Sequence, residues 1–215
     1  FKIDSFEEIK FKAIPLPRLE LKNTSIHFNN TSVKLTVKDL TIFPKFLSIY
    51  NYKNFKINKI ILKNSDVSLE TSVFNNFTKN LLKQKNKLSI KNLNLNIIKK
   101  NKPLVGIENL VFANYGYNKN LITGKIFDKK FKIETQNNFN NIKIKLIKSG
   151  IGADIDLDKT QNLNILDGVF KLKALNTNLR FNFNYDTKLI KIYKSHFRSK
   201  NLSFSNKSLI ILKPF

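Results

Sequence analysis

The chain has 215 residues, of which 39 are Lys or Arg and 15 are Asp or Glu, so its formal net charge is +24. Hydrophobic residues make up 41% of the chain, which excludes an intrinsically disordered protein and is enough for a sizeable core. Cys is absent, which excludes disulfide scaffolds, thiolate zinc sites and cysteine nucleophiles. Apolar runs are short, as at 209–212, whereas a membrane helix needs about 20 apolar residues.

The positive charge comes almost entirely from lysine. The sequence contains 36 Lys, three Arg and 31 Asn. AT-rich codons supply Lys, Asn, Ile and Phe, so we interpret much of this charge as genomic drift on solvated faces. A nucleic-acid site usually relies on Arg, whose planar guanidinium pairs with phosphate and guanine. The composition therefore argues against nucleic acid as the partner.

A recurring unit runs through the first half of the chain. It consists of apolar-x-apolar, a charged residue, Asn or Asp, and apolar-x-apolar again, with copies at 19–28, 35–42, 60–69, 88–95 and 105–112. The gap between the flanking apolar residues is odd, so in a straight strand the second half would turn to the opposite face. A β-bulge at the Asn, or a tight reversal, would restore the face. Both alternatives predict strands with one apolar side.

Two segments interrupt this pattern with helical spacing. Phe43, Phe46, Leu47 and Tyr50 fall at i, i+3, i+4 and i+7, which predicts a short helix near 43–50. A similar spacing predicts a second short helix near 74–83. We interpret both as core helices at the end of a sheet.

The second half of the chain alternates apolar and polar residues. The pattern is clearest at 142–147, 151–158 and 179–184, and it predicts strands with one apolar and one polar face. We therefore expect a mainly β protein with an antiparallel, curved and elongated sheet that forms an apolar groove, and one or two short α-helices. Residues 1–115 would form the region with the helices, and 116–215 would continue the sheet of the same groove. This boundary is approximate, and the two regions could also form a single domain. Residues 150–152 are another candidate domain boundary.

The sequence offers little for catalysis. His27 and His196 lie far apart and have no acidic neighbour in sequence, so we do not expect a catalytic pair. The Asp-x-Asp-x-Asp run at 154–158 resembles a calcium loop but lacks its Gly, and position 12 of such a loop would be Ile165. There is no phosphate-binding Gly loop and no nucleophile elbow. We therefore predict no enzyme activity, no catalytic residue, no metal site and no cofactor.

The opening stretch from Phe6 to Ile26 resembles the AsmA family, in which a Pro-rich bend leads into an LEL-x-N-x-x-I strand. Here the bend is Ile14-Pro15-Leu16-Pro17 and the strand begins at Leu19. The resemblance continues through 35–40, 42–49 and 55–64, and covers about the first 115 residues. The rest of the chain shares only a general strand character with the family.

The resemblance implies a periplasmic protein of Gram-negative bacteria, related to TamB-like and other bridge-like lipid carriers. Such a protein would be anchored in the inner membrane through a segment absent from this chain. Its groove would bind phospholipid acyl chains and support phospholipid transport between inner and outer membranes, and hence outer-membrane biogenesis. Its partners would be phospholipids, the membrane surface and outer-membrane assembly proteins.

The residues that we expect to line this groove are apolar members of the alternating rows. They are Leu19, Leu21, Leu35, Val37, Leu62, Leu88, Ile90, Leu93, Leu95, Val105, Ile107 and Phe181.

Two alternatives from other classes remain open. The first is a cationic β-domain that binds nucleic acid or another polyanion, and such binding would weaken steeply with salt. The second is a non-transporting envelope scaffold for outer-membrane protein assembly, in which a sheet edge pairs with a partner strand.

Overall fold

The fold is known from a computed structural model, and the prediction of a mainly β protein is confirmed. Strands account for 81% of the described residues. Helical structure within them is limited to a 3-10 turn at Phe46–Ser48 and to residues 71–73. The structure describes residues 2–27, 34–49, 56–73, 87–100, 102–114, 119–137, 139–158, 165–186 and 189–211.

The chain divides into two compact units, Phe1–Asp128 and Lys129–Phe215, which we call unit 1 and unit 2. Among the residues that the structure describes, there is no helix with the length and apolarity that a membrane span requires.

Unit 1 contains eight described strands. In the sheet, β1 and β2 both pair with β3, and β4, β5, β6, β7 and β8 follow in chain order. The strands are β1 (Lys2–Ser5), β2 (Glu8–Lys12), β3 (Arg18–His27), β4 (Lys34–Pro44), β5 (Ile57–Glu70), β6 (Lys87–Lys99), β7 (Lys102–Asn114) and β8 (Lys119–Ile126).

The strand pairs of unit 1 are antiparallel except for β5 and β6, which run parallel, with Leu62 opposite Ile90. Parallel neighbours need a crossover of about a dozen residues or more, and the connection at 71–86 meets that length. The predicted helix at 74–83 falls within this connection and lies outside the described residues.

The predicted helix near 43–50 is wrong over its described part. Phe43 pairs with Lys59, so hydrogen bonding to β5 keeps the start of this segment in strand β4. Only Phe46–Ser48 turns, as a single 3-10 turn. The Ser48 hydroxyl donates to the Lys45 carbonyl at 2.7 Å and accepts the Lys56 N–H at 3.1 Å, which ties the turn to the start of the next segment.

In four of the five copies of the recurring unit a left-handed Asn lies inside a continuous strand, so the tight reversal is not formed. The register shifts that mark a bulge occur beside Asn92 and Asn109. Asn23, Asn64, Asn92 and Asn109 have φ values of 46°, 54°, 59° and 50°. Asn tolerates this conformation better than most residues because its short polar side chain bonds locally. The extra residue compensates for the odd gap, so residues on both sides of each Asn face the same side.

The core of unit 1 lies on that side of its sheet. Along β5, for example, Ile60 and Leu62 before Asn64 and Val67 and Leu69 after it are all buried. The corresponding side chains of β3, β4, β6 and β7 join them in one hydrophobic cluster, which includes the fully buried Phe112. The unit is therefore organised around one densely covered apolar face.

Unit 2 is a purely antiparallel sheet in which each strand pairs with the next in the chain. Its connections are short, and the left-handed Leu175 begins the two-residue turn between β12 and β13. The strands are β9 (Lys129–Gln136), β10 (Asn141–Leu146), β11 (Ile151–Leu157), β12 (Ile165–Ala174), β13 (Thr177–Asp186), β14 (Leu189–Arg198) and β15 (Ser203–Ile211).

Candidate functional site

The strand register of unit 2 aligns apolar residues into a continuous row across its sheet. Neighbours in this row are direct cross-strand partners, so their side chains share one face. The row, which we call the apolar track, consists of Ile133, Ile144, Ala153, Leu172, Leu179, Phe197 and Phe204. It crosses all seven strands, and at a strand spacing of about 4.8 Å it extends over about 29 Å.

Aromatic residues widen the apolar track on the same face. Phe170 and Phe181 are cross-strand partners, two residues along β12 and β13 from the track, and their rings stack with centroids 4.9 Å apart. Phe181 also meets Phe183 edge-on at 6.3 Å, and the track residues Phe197 and Phe204 stack at 4.9 Å. The result is a broad hydrocarbon surface without a charged side chain among these positions.

The apolar track is only partly covered. Its members on β9 to β14 are half-buried, and Phe204 is 50% exposed. The described elements of unit 2 contact mainly their neighbours in the sheet, which therefore forms a single layer. An apolar face of this size that stays partly open is a candidate binding surface.

The predicted groove residues are concentrated in unit 1 and are packed against one another. Eight of them are at most 6% exposed and belong to the core cluster: Leu21, Leu35, Val37, Leu62, Leu88, Ile90, Leu93 and Leu95. Leu19, Val105 and Ile107 are half-buried, and the first and last of these three pack against the cluster. A ligand would have to open this packing, so we place the candidate surface on unit 2.

Phe181 is the predicted groove residue that lies on unit 2, where it is half-buried beside the apolar track. Sequence reasoning did not assign the track itself, although its signal was the period-two alternation in the second half of the chain. That alternation shows which residues share a face, but it does not show whether another layer covers them.

The opposite face of unit 2 is polar and internally hydrogen bonded. Asp156 accepts hydrogen bonds from Asn141 Nδ2 at 2.9 Å and from Lys171 Nζ at 3.0 Å. These two donors hold the pKa of the Asp156 carboxyl below its ordinary value. This carboxylate of the 154–158 run is therefore engaged in cross-strand pairing.

Unit 1 has a comparable polar network on the face of its sheet opposite the core. Asp39 accepts a hydrogen bond from the Lys22 ammonium and another from Asn64 Nδ2, the latter at 3.0 Å. The Lys22 contact, followed by that of Asn64, lowers the pKa of the Asp39 carboxyl. Both networks stabilise strand pairing and leave the apolar faces free of charge.

No protein-family model matches this chain, and no curated protein matches it either. The resemblance to the AsmA family therefore stays a prediction from the motifs.

Proposed function

We propose that this protein is a non-catalytic lipid carrier whose apolar track on unit 2 binds acyl chains. The observation that carries the proposal is the row of seven apolar residues that crosses the sheet without interruption and stays partly open. Burying a chain of sixteen carbons contributes about 12 kcal/mol at roughly 0.8 kcal/mol per CH₂. A face that covers one side of the chain provides part of that energy without any specific polar contact.

The strand geometry also supports movement of a bound chain. Successive strands present similar apolar side chains about 4.8 Å apart. An acyl chain that shifts by one strand exchanges one set of apolar contacts for a similar one, so each step has a small change in free energy. Directionality would come from the membranes at either end rather than from this sheet.

The AsmA resemblance supplies the cellular setting of the proposal. The carrier would act in the periplasm, attached to the inner membrane, in phospholipid transport towards the outer membrane. The membrane surface and outer-membrane assembly proteins would be its partners. The net charge of +24 favours anionic membrane surfaces, by about 1 kcal/mol for each well-placed Lys.

Native mass spectrometry of the purified chain, combined with lipid extraction, tests the proposal. We expect a co-purified phospholipid at a defined stoichiometry that resists high salt, because apolar burial does not depend on counterion release. Leu172→Asn, in the middle of the apolar track, is expected to remove most of that lipid.

A matched control lies on the same strand. Val169 is half-buried like Leu172 but faces the polar side of β12, and Val169→Asn should leave the lipid bound. Neither substitution changes the net charge. A lipid-free protein that also excludes an apolar fluorescent probe would contradict the proposal and favour a scaffold.

A further inference from the structure

Unit 2 contains a cavity of about 730 Å³ whose basic side chains the acyl-chain proposal does not use. Its walls include six basic side chains from strands β10, β12, β13 and β14 and from the turn after β10. They are Lys145, Lys148, Lys171, Lys173, Arg180 and His196. Cavities of about 300–1,000 Å³ are typical of small-molecule sites.

The basic residues of the cavity occupy the strand positions that face away from the side chains of the apolar track. His196 lines the cavity, whereas the adjacent Phe197, whose side chain points to the other face, does not. Lys171 also lines it, and its neighbour Phe170 does not. The lining also includes Ile144, Ala153, Leu172 and Leu179 of the apolar track, which alternate with the basic residues along the same strands.

A missing side chain creates the floor of the cavity. Gly152 pairs with Lys145 on one side and with Lys173 on the other, so the two lysine backbones lie about 9.6 Å apart with a gap between them. A Cβ at Gly152 would point into this gap, 3.8 Å from Lys145 Cγ and 3.4 Å from the Ile144 carbonyl oxygen. The two ammonium groups thus flank an open space.

The charges around the cavity are poorly compensated. Lys171 is paired with Asp156 at 3.0 Å, but no ion pair among the described residues involves Lys145, Lys148, Lys173 or Arg180. Lys171 and Arg180 are direct cross-strand partners, an arrangement that is destabilising for like charges. A bound anion would relieve this repulsion, and Arg180 adds a planar donor group suited to phosphate.

Two further residues narrow the ligand class. Asp154 and Asn178 also line the cavity and offer acceptors for hydroxyl groups. The Asp154 carboxylate would repel a ligand that carried phosphate at every position. The single Arg in the lining differs from the extended basic surface that a nucleic-acid backbone requires.

We propose that this basic cavity binds a small phosphate ester that carries neighbouring hydroxyl groups, such as a phosphorylated sugar or polyol. The phosphate would lie between Lys145, Lys173 and Arg180 above Gly152. The hydroxyl groups would lie towards Asp154 and Asn178. The ligand is either free in solution or the headgroup of a lipid, since both present the same chemistry to the cavity.

Isothermal titration of the whole chain with fructose bisphosphate tests the site, with fructose as the uncharged control. We expect the bisphosphate to bind and fructose not to bind. Arg180→Gln should weaken binding about tenfold or more, because it removes a charge-assisted contact. Arg198→Gln should change it less than about twofold, because Arg198 is exposed on the same polar face but does not line the cavity.

A second variant tests the shape of the cavity at constant charge. Gly152→Val fills the floor with a residue that suits a strand, so we expect it to abolish binding. Thermal unfolding establishes that this variant is folded. If it does not fold, the comparison of the two Arg variants still decides the question.

The source of the ligand is tested with phosphatidylcholine vesicles that do or do not contain phosphatidylinositol phosphate. Arg180-dependent binding to fructose bisphosphate supports a free ligand, and Arg180-dependent binding to the phosphorylated vesicles alone supports a lipid headgroup. Equal losses in both Arg variants, or no binding to either probe, would overturn the proposal. Displacement of fructose bisphosphate by duplex DNA, with equal losses in both variants, would indicate diffuse nucleic-acid attraction and would also overturn it.

Discussion

Asn92 Nδ2 donates a hydrogen bond to Asn64 Oδ1 at 2.8 Å, and both residues have a left-handed backbone. The two Asn residues occupy the same level of the parallel strands β6 and β5, since Lys63 pairs with Lys91 and Ser65 with Leu93 on either side of them. The extra residue in each strand is therefore aligned with its neighbour. This alignment keeps the core face of unit 1 continuous past both left-handed residues.

Replacement of Asn92 tests the importance of this left-handed position. Asn92→Ala should lower the free energy of unfolding by about 2 kcal/mol, because Ala is strained at this φ and the amide hydrogen bond is lost. Asn92→Gly should lower the free energy of unfolding by a smaller amount, because Gly adopts this conformation without a Cβ clash. Urea unfolding of both variants measures the difference, and equal stability of the Ala variant and the native chain would show that the left-handed Asn contributes nothing.

Thr24 presents an unfavourable polar group in the core of unit 1. It is fully buried, and its hydroxyl has no hydrogen-bond partner among the described residues. Thr24→Val replaces the hydroxyl with a methyl group of similar size, and we expect it to raise the free energy of unfolding by about 1 kcal/mol. Thr36→Val, at an exposed position of β4, is the control and should change stability by less than about 0.5 kcal/mol. A destabilised Thr24→Val variant would imply a partner for the buried hydroxyl.

Leu93 and Leu172 differ in environment although both occupy alternating apolar positions. Leu93 is 2% exposed in the unit 1 core, whereas Leu172 is half-buried on the apolar track. Leu93→Ala should lower the free energy of unfolding by about 2–5 kcal/mol, the range for truncation of a buried Leu. Leu172→Ala should lower the free energy of unfolding by about 1 kcal/mol, since less buried apolar surface is lost at this position. Urea unfolding combined with amide hydrogen exchange of β6 and β12 measures both, and equal costs would mean that the apolar track is a closed core.

The Asp39 network predicts a loss of stability in acid. Folding lowers the pKa of Asp39, so its interactions stabilise the folded state above the pKa of the unfolded chain. This contribution is lost as the pH falls below about 4 and passes through the lower pKa of the folded state. Asp39→Asn should therefore be less stable at neutral pH and show a smaller further loss in acid. Urea unfolding as a function of pH tests this.

A double-mutant cycle with Lys22→Gln isolates the ion pair of that network. We expect the two substitutions to be non-additive at neutral pH and additive at a pH where Asp39 is protonated in the native chain. Additivity at every pH would show that the contact between Lys22 and Asp39 contributes no stability.

Much of the fold could be predicted from local sequence patterns. Alternation predicted the strands of unit 2 and the two faces of each, because successive side chains point to opposite sides. The odd spacing around Asn64 and Asn92 predicted a compensating residue, because an apolar face must stay on one side to be buried. In contrast, helical spacing at Phe43 and Phe46 was misleading, because pairing with β5 extends strand β4 through Phe43.

Local sequence patterns are sufficient to predict that this protein is mainly β, which residues share a strand face, and where the apolar spacing needs a compensating residue. Three features depend on the three-dimensional structure: β5 and β6 are parallel, Leu93 is covered while Leu172 stays partly open, and Gly152 separates Lys145 from Lys173. The physical reason is that strand faces follow from the conformation of neighbouring residues. Coverage and cross-strand neighbours depend instead on register and packing between residues that are distant in the chain.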